Sequence, residues 1–141
     1  MEIKELIMNT VKSKETLSFF VLRSVVGIII ASHGWHRLLT GGYEPFGGWL
    51  TSEGFPFGFS IALGITLFEI IGSVFLVLGK KLPYVCSAYI IIYLFGLIMV
   101  HLPHGWFVVG SGSNGVEYSV LLIASLFCIG YPQMNKVTQS T

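Results

Sequence analysis

The sequence predicts an all-α integral membrane protein, folded as a four-helix bundle in which successive helices run up and down. Hydrophobic residues make up 53% and charged residues only 11% of the 141 residues, with a mean hydropathy of +0.78. A soluble domain usually carries about 25% charged residues. Four apolar runs account for the difference, at residues 17–38, 59–79, 82–102 and 116–131. The first three reach the roughly 20 residues that a helix needs to cross a bilayer, and the fourth is at the short end of that range.

The first predicted helix follows a short polar segment. Residues 1–16 have mixed charge and a weak amphipathic pattern, so we expect a cytoplasmic segment that can form a helix along the membrane surface. The first apolar run ends in HGWHR and not in a small-residue cleavage site, which predicts that it stays in the membrane as a helix. Residues 17–132 are then one four-helix transmembrane domain, and residues 133–141 are a cytoplasmic tail.

Helix-breaking residues separate the remaining helices. The segment 39–58 is rich in Gly and aromatic residues and is too apolar for a free linker, so we expect it to fold over the outer mouth of the bundle. Gly79 and Pro83 flank a tight turn between the second and third helices, and Pro103 ends the third. The stretch GSGSNG at 110–115 predicts a flexible outer loop. Because these connections are short, neighbouring helices are predicted to be antiparallel.

The positive charges predict the orientation of the bundle. All six lysines lie on one side of the membrane: Lys4, Lys12, Lys14, Lys80, Lys81 and Lys136. The junctions on the other side hold one arginine, Arg37, together with three glutamates. Cytoplasmic loops carry an excess of Lys and Arg, so both termini are predicted to be cytoplasmic.

Several classes of function have no support in the sequence. It contains no Walker loop, no GxGxxG after a strand and no HExxH, and no motif for haem, flavin or an iron–sulfur cluster. The two cysteines, Cys86 and Cys128, form no CxxC pair and do not indicate a dithiol or zinc site. The chain lacks a basic cluster, which argues against binding to nucleic acid.

Two charged residues fall inside the predicted spans. Arg23 lies about six residues into the first helix, and Glu69 lies near the centre of the second. A charge at the centre of a bilayer costs about 2.5–3.5 kcal/mol on insertion scales, so neither side chain is expected to face lipid. The helix rise places the two residues within roughly 6 Å in depth, which predicts an Arg23–Glu69 ion pair inside the bundle. The pair either stabilises the packing or makes Glu69 a proton-carrying or ligand-binding group.

A second set of polar side chains is predicted at the outer end of the bundle. It comprises His33, His36, Arg37, His101, His104, Glu117 and Tyr118. All four histidines of the chain belong to this set, because two end the first helix and two end the third. Such a gathering at one depth has three interpretations, which the sequence leaves open.

In the first interpretation these side chains have no function and simply lie at the membrane interface, since His and Arg side chains are readily accommodated at the headgroup level. The second is a pocket for an anionic or redox-active small molecule, in which Arg37 and the imidazoles donate hydrogen bonds and Glu117 or a histidine accepts a proton. The third is a metal site, since imidazole and carboxylate suit zinc, iron or copper. The ligand spacing, however, matches no standard metal motif.

Four segments of the chain form a recognisable combination. They are LRSVVGIIIASHGWHRL, FEIIGSVFLVLG, HLPHGWF and GSNGVEYSVLLI. With these segments in this order, the chain resembles the DoxX family of small bacterial membrane proteins from about residue 17 to residue 132. One difference is Arg37, near a position where the family often has Lys, which keeps the charge but changes the hydrogen-bond geometry. The resemblance implies a four-helix protein of the bacterial cytoplasmic (inner) membrane.

The resemblance also implies a function. Members of this family are often labelled oxidoreductases, some are similar to a subunit of thiosulfate:quinone oxidoreductase, and others are associated with redox-stress enzymes or with responses to quinones. We therefore expect a quinone-linked oxidoreductase, or the membrane subunit of one, that binds a quinone between helices near the outer leaflet.

In this hypothesis the polar residues divide into two groups. Those expected to exchange protons are His33, Glu69, His101 and Glu117. Those expected to contact the quinone are Arg23, His36, Arg37, His104 and Tyr118. Further expected partners are the lipid bilayer, a small anionic ligand, a redox enzyme and a second copy of the chain. The alternative is a non-catalytic membrane scaffold, or a small-molecule binder or transporter, which the lack of a cofactor motif favours.

Overall fold

The computed structural model describes the backbone of residues 3–110 and 112–138, and the side chains of residues 16–110 and 112–132. This part of the chain is helical and contains no strand. Its five α-helices are α1 (Ile3–Leu39), α2 (Tyr43–Ser52), α3 (Gly58–Leu78), α4 (Leu82–Gly96) and α5 (Glu117–Thr138). Beyond its last residue, α4 continues as a π-helical turn (Leu97–His101) and a 3-10 turn (Leu102–His104).

Within the residues that the structure describes, three helices are long and apolar enough to cross a membrane. They are Thr16–Leu39 within α1, Gly58–Leu78, and the continuous stretch Leu82–His104. The apolar part of α5, Glu117–Pro132, is shorter. Large apolar side chains on these helices point outward, for example Ile28 at 66% and Leu121 at 65% exposure. An apolar exterior of this kind is suited to lipid and unsuited to water.

The first helix is longer than expected. The sequence predicts a membrane helix from residue 17, whereas α1 begins at Ile3 and runs without interruption to Leu39. The physical reason is that residues 3–26 contain neither Gly nor Pro, the two residue types that most often end a helix. The polar segment before residue 17 therefore continues the helix axis of the first span.

The segment 39–58 contains a helix that the four-helix prediction missed. This helix, α2, packs against the start of α3 through two glycines. A Cβ atom on Gly47 would lie 2.6 Å from the Cα atom of Phe59, and a Cβ atom on Gly58 would collide with the Gly47 carbonyl oxygen. The two backbones therefore touch, and α2 packs closely on the start of α3.

Glycines also set the distance between α1 and α3. A Cβ atom on Gly27 would lie 2.7 Å from Cγ2 of Val77, and a Cβ atom on Gly34 would lie 2.9 Å from Cβ of Glu69. The two helices thus run in opposite directions at close approach, as membrane helices do where small residues line the contact. Gly27 and Gly34 are seven residues apart, about two helical turns, and so share one face.

A buried apolar core joins α1, α3, α4 and α5. Its members are Val26, Ile30, Leu76, Leu82, Val85, Cys86, Tyr89, Leu122, Leu126 and Ile129. Tyr89 is fully buried, and its hydroxyl donates to the carbonyl oxygens of Phe68 (3.0 Å) and Glu69 (3.2 Å). This core lies towards one end of the bundle and leaves the other end open for a cavity.

The two ends of the bundle differ in their connections. At one end, which we call the lysine end, α3 stops at Gly79 (φ 70°) and α4 follows after Lys81 (φ 53°). The Gly79 N–H donates to Leu76 O (3.1 Å) and the Lys80 N–H to Phe75 O (3.0 Å), which closes the tight turn that the sequence predicts. The opposite end, where α1 reaches Leu39, we call the histidine end.

At the histidine end, the loop before α5 is held together by backbone hydrogen bonds between its own residues. The Gly115 N–H donates to Phe107 O (3.1 Å), and the Val116 N–H donates to Gly105 O (3.0 Å). A Cβ atom on Gly115 would collide with the carbonyl oxygens of Trp106 and Phe107. The end of the GSGSNG stretch is therefore held by backbone hydrogen bonds, which the sequence pattern does not show.

Replacement of Gly34 by Ala tests the close approach of α1 and α3. An added methyl group meets backbone and Cβ atoms of α3 that cannot move freely, so we expect Gly34→Ala to lower the free energy of unfolding by about 1–3 kcal/mol. Gly64→Ala is the matched control, because nothing lies within 4 Å of its added Cβ atom. Both changes improve helix propensity equally. SDS titration in mixed micelles measures the difference, and equal stabilities would refute the tight contact.

Candidate functional site

A cavity of about 400 Å³ lies at the histidine end, and all five helices contribute to its wall. We call it the central cavity. Its wall is mostly aromatic and aliphatic; Phe46 and Trp49 of α2 close one side, and Phe55 follows them in the chain. The segment 39–58, which the sequence places over the mouth of the bundle, thus contributes to the cavity wall. The few polar groups on the wall are therefore conspicuous.

An ion pair is buried in the wall of the central cavity. Nη1 of Arg37 lies 3.0 Å from Oε2 of Glu69, and the Glu69 side chain is only 3% exposed. The same Nη1 donates to Oγ1 of Thr66 at 3.3 Å, and the Tyr93 hydroxyl donates to Oε1 of Glu69 at 3.2 Å. Each carboxylate oxygen thus has its own donor. Such charge-assisted hydrogen bonds are stronger than neutral ones and offset part of the cost of burying the charge.

The predicted Arg23–Glu69 pair is wrong. Gly34 lies opposite Glu69, and Arg23 comes eleven residues earlier in α1, roughly 16 Å along the axis. Arg23 instead lies at the lysine end, where a Cβ atom on Gly79 would be 2.6 Å from its Nη1 atom. The prediction took depth from the ends of the apolar runs, which do not show how far one helix is shifted along the other.

Arg37 reaches the buried carboxylate from the end of α1. Its guanidinium carbon lies 5.0 Å from the centroid of the Phe46 ring, so the cation is held between an aromatic face and Glu69. Its side chain remains 24% exposed. The arginine that the sequence places at a loop junction is therefore turned into the bundle, where it forms part of the wall of the central cavity.

The four histidines do not form a single cluster. His33 and His101 line the central cavity, whereas His36 and His104 are exposed and do not. His33 and Arg37 are four residues apart on one face of α1. His101 belongs to the π-helical turn after α4, a distortion that places an extra residue in the helix and is frequent at functional sites.

The orientation of the His101 ring is set by a loop carbonyl. Its Nδ1 atom lies 2.9 Å from the carbonyl oxygen of Asn114. A carbonyl oxygen only accepts hydrogen bonds, so Nδ1 carries the proton and Nε2 of a neutral ring is left as an acceptor. The loop before α5 therefore orients a side chain on the wall of the central cavity.

Of the remaining predicted site residues, one lines the central cavity and another holds the loop before α5. Tyr118 lines the central cavity. Glu117 does not, because its Oε1 accepts the N–H of Val108 at 2.9 Å and so holds the loop. The structure thus brings His33, Arg37 and Glu69 together with His101 and Tyr118. It leaves Arg23, His36, His104 and Glu117 outside the cavity wall.

Sequence reasoning missed Tyr93, which binds the buried carboxylate, and the part that Thr66 plays beside Arg37. A signal was present in the third apolar run, where Tyr89 and Tyr93 are four residues apart and share one helix face. A hydroxyl group in such a run needs a partner when it is buried. The partners were not evident, because Glu69 O and Oε1 lie on another helix.

The described side chains also bear on metal binding. Within residues 16–110 and 112–132, no group of three or more His, Cys, Asp or Glu is placed to hold a metal ion. The central cavity instead offers hydrogen-bond donors and acceptors in an apolar wall. This combination is typical of sites for organic ligands, in which a few polar groups orient a mostly apolar molecule.

Three helices of spanning length and an apolar exterior define a multi-pass helical membrane protein. The family model DoxX matches residues 18–102 of this chain. The match covers more than half of the chain, and the chain therefore belongs to the DoxX family. It includes Arg37, Glu69 and Tyr93. Comparison with curated proteins and with solved structures gave no match.

A double-mutant cycle tests the partner of Glu69. Arg37→Leu leaves a bare buried carboxylate, so we expect it to cost about 3–5 kcal/mol of unfolding free energy, whereas Arg37→Leu/Glu69→Leu recovers most of that loss. The matched cycle with Arg23→Leu should show no coupling to Glu69. Unfolding in mixed micelles measures both cycles, and coupling of Glu69 to Arg23 but not to Arg37 would contradict the structure.

Proposed function

We propose that the central cavity binds a quinone and that the protein is a quinone-linked oxidoreductase or the membrane subunit of one. The observation that carries this proposal is the Arg37–Glu69–Tyr93 network on the wall of an otherwise apolar cavity. The cavity volume, about 400 Å³, lies within the roughly 300–1,000 Å³ typical of small-molecule sites. A quinone matches this wall, since its flat ring is apolar and its two carbonyl oxygens accept hydrogen bonds.

The charge of the network favours a neutral ligand. Arg37 and Glu69 form an ion pair, so their charges cancel across 3.0 Å. A small anion entering the cavity would meet the carboxylate as well as the guanidinium. A quinone carbonyl oxygen needs only a hydrogen-bond donor. Arg37 uses Nη1 for its described hydrogen bonds, so its other N–H groups can donate to a ligand oxygen.

Residues on the wall can carry the protons of quinone reduction. A quinone takes up two electrons and two protons to become a quinol. In this proposal the electrons come from a redox-enzyme partner, and the protons pass through His33, Glu69 or His101. His101 suits this role because Asn114 holds its Nδ1 proton and leaves Nε2 free to exchange one. Tyr118 contacts the ring, and Glu117 only positions the loop.

We further propose that α1, α3, α4 and α5 cross the bacterial inner membrane as an up-down four-helix bundle with both termini in the cytoplasm. The lysine distribution supports this orientation. The histidine end then faces outward, and the central cavity opens near the outer leaflet, where α2 covers it. Water-soluble quinone analogues without an isoprenoid tail should therefore reach the site from the outer side of the membrane.

A non-catalytic small-molecule binder or transporter is the second candidate. The observation that favours it is the ion pair itself, since Arg37 and Tyr93 already satisfy both oxygens of Glu69. A carboxylate held in this way stabilises the fold without exchanging protons. The two candidates share the ligand site and differ in whether the bound quinone is reduced there.

Fluorescence of Trp49 tests quinone binding, because quinones quench tryptophan on contact. In Trp35→Phe/Trp106→Phe the remaining Trp49 lies on the cavity wall, and we expect saturable quenching by a short-chain quinone. The matched control is Trp49→Phe/Trp106→Phe, in which Trp35 is exposed and should show only the linear quenching of quinone dissolved in the micelle. Equal, linear quenching of both proteins would remove the proposal.

Turnover separates the enzyme from the binder. His101→Ala should lower the rate of quinol formation at least tenfold in membranes that contain the protein and its electron donor, since general acid–base groups contribute about 10²–10⁴-fold. His104→Ala is the control, because His104 is exposed and outside the cavity. Saturable binding with no quinol formation in the wild-type protein would assign it to the second candidate.

A further inference from the structure

A second, smaller cleft lies at the lysine end, away from the central cavity. Its volume is about 120 Å³, and it is lined by Phe19, Arg23, Leu82, Ile129 and Pro132. It is bounded by α1, the start of α4 and the last described turns of α5. Four of these five described lining residues are apolar, and the only charged group among them is the Arg23 guanidinium.

Arg23, on the wall of this cleft, has a buried donor that no described group satisfies. Its Nε atom is the one buried side-chain nitrogen or oxygen without a hydrogen-bond partner among the described side chains. The nearest aromatic face is Phe20, whose ring centroid lies 5.6 Å from the guanidinium carbon. A cation–π contact of this kind offsets only a part of the cost of burying a charge. A counter-charge from outside the chain would complete the site.

The surroundings of Arg23 select an anion. A Cβ atom on Gly79 would lie 2.6 Å from Nη1 of Arg23, so the guanidinium reaches the turn after α3. Lys80 and Lys81 follow in that turn and are exposed. The α4 helix starts at Leu82, which lines the cleft, and it has no side-chain cap, so the positive end of its dipole lies near the cleft. No described carboxylate pairs with Arg23, since the salt bridge of Glu69 is made by Arg37.

The anion is expected to belong to a lipid. Exposed apolar side chains lie two residues from the cleft residues Phe19 and Leu82, with Leu17 at 62% and Tyr84 at 68% exposure, so we expect lipid chains beside the cleft. An arginine fork binds two phosphate oxygens at once. The cleft volume is about four times the roughly 30 Å³ that one water molecule occupies in the liquid, which is enough for a phosphate group.

We propose that Arg23 holds the phosphodiester of an anionic phospholipid in this cleft, with the lipid chains against Phe19 and Ile129. Lys80 and Lys81 add a diffuse attraction at the surface, whereas Arg23 makes the specific contact. This site is separate from the quinone cavity, since Arg23 lies roughly 16 Å along α1 from the residue opposite Glu69. It does not depend on the proposed redox function.

Native mass spectrometry of the full chain in mild detergent tests the site. Phosphatidylglycerol is titrated into the wild-type protein, and one molecule per chain should bind with an affinity at least tenfold above that of phosphatidylcholine, whose phosphate is already neutralised by its own choline cation. Arg23→Gln should reduce the affinity for phosphatidylglycerol at least tenfold. Lys80→Gln/Lys81→Gln is the matched control, which removes two charges at the same end and should change the affinity less than threefold.

Three outcomes would overturn the proposal. They are equal binding of the two lipids, unchanged binding in Arg23→Gln, and competition by millimolar inorganic phosphate alone, which would make the site one for free phosphate. If Arg23→Gln does not fold, Arg23→Lys provides the readout, because it keeps the charge and loses the fork. We expect Arg23→Lys to bind phosphatidylglycerol at least threefold more weakly than the wild type, and equal affinity would refute the contact.

Discussion

The buried carboxylate of Glu69 is the constraint on which the histidine end depends. A charge in the middle of an apolar helix must find donors within the protein, since lipid offers none. Arg37 and Tyr93 supply them from two other helices. The three side chains therefore join α1, α3 and α4 at one depth in the bundle. At that depth they form part of the wall of the central cavity.

The network requires a particular fit of α1 on α3. Gly34 lies directly against Cβ of Glu69 and the carbonyl oxygen of Thr66, and a larger residue would separate the helices. Three residues further along α1, Arg37 then faces the carboxylate at 3.0 Å. The steric fit at Gly34 and the ion pair of Arg37, one helical turn later, thus stabilise the same axial position of α1 against α3. For this reason the size of the residue at position 34 affects the geometry of the candidate site.

The cavity exists because the packing at the two ends of the bundle differs. At the lysine end the core residues around Tyr89 and Leu76 fill the space between the helices. At the histidine end, α4 passes into a π-helical turn and α2 packs on α3, with Phe46 and Trp49 on the cavity wall. Irregular helix geometry and a short additional helix enclose space there that straight helices would close by direct packing.

The amino-acid sequence by itself determined that the protein is helical and suited to a membrane, and it located the three helices that are long and apolar enough to span one, because hydropathy depends only on which residues are adjacent in the chain. It also indicated that Glu69 needs a partner and that His33, Arg37 and His101 lie near one end. Only the tertiary structure decided that the partner is Arg37 and not Arg23, that Tyr93 joins it, and that His36 and His104 face away. These outcomes depend on the axial shift and rotation of one helix against another. Close contacts such as Gly34 on Glu69 set both, and no local pattern in the sequence encodes them.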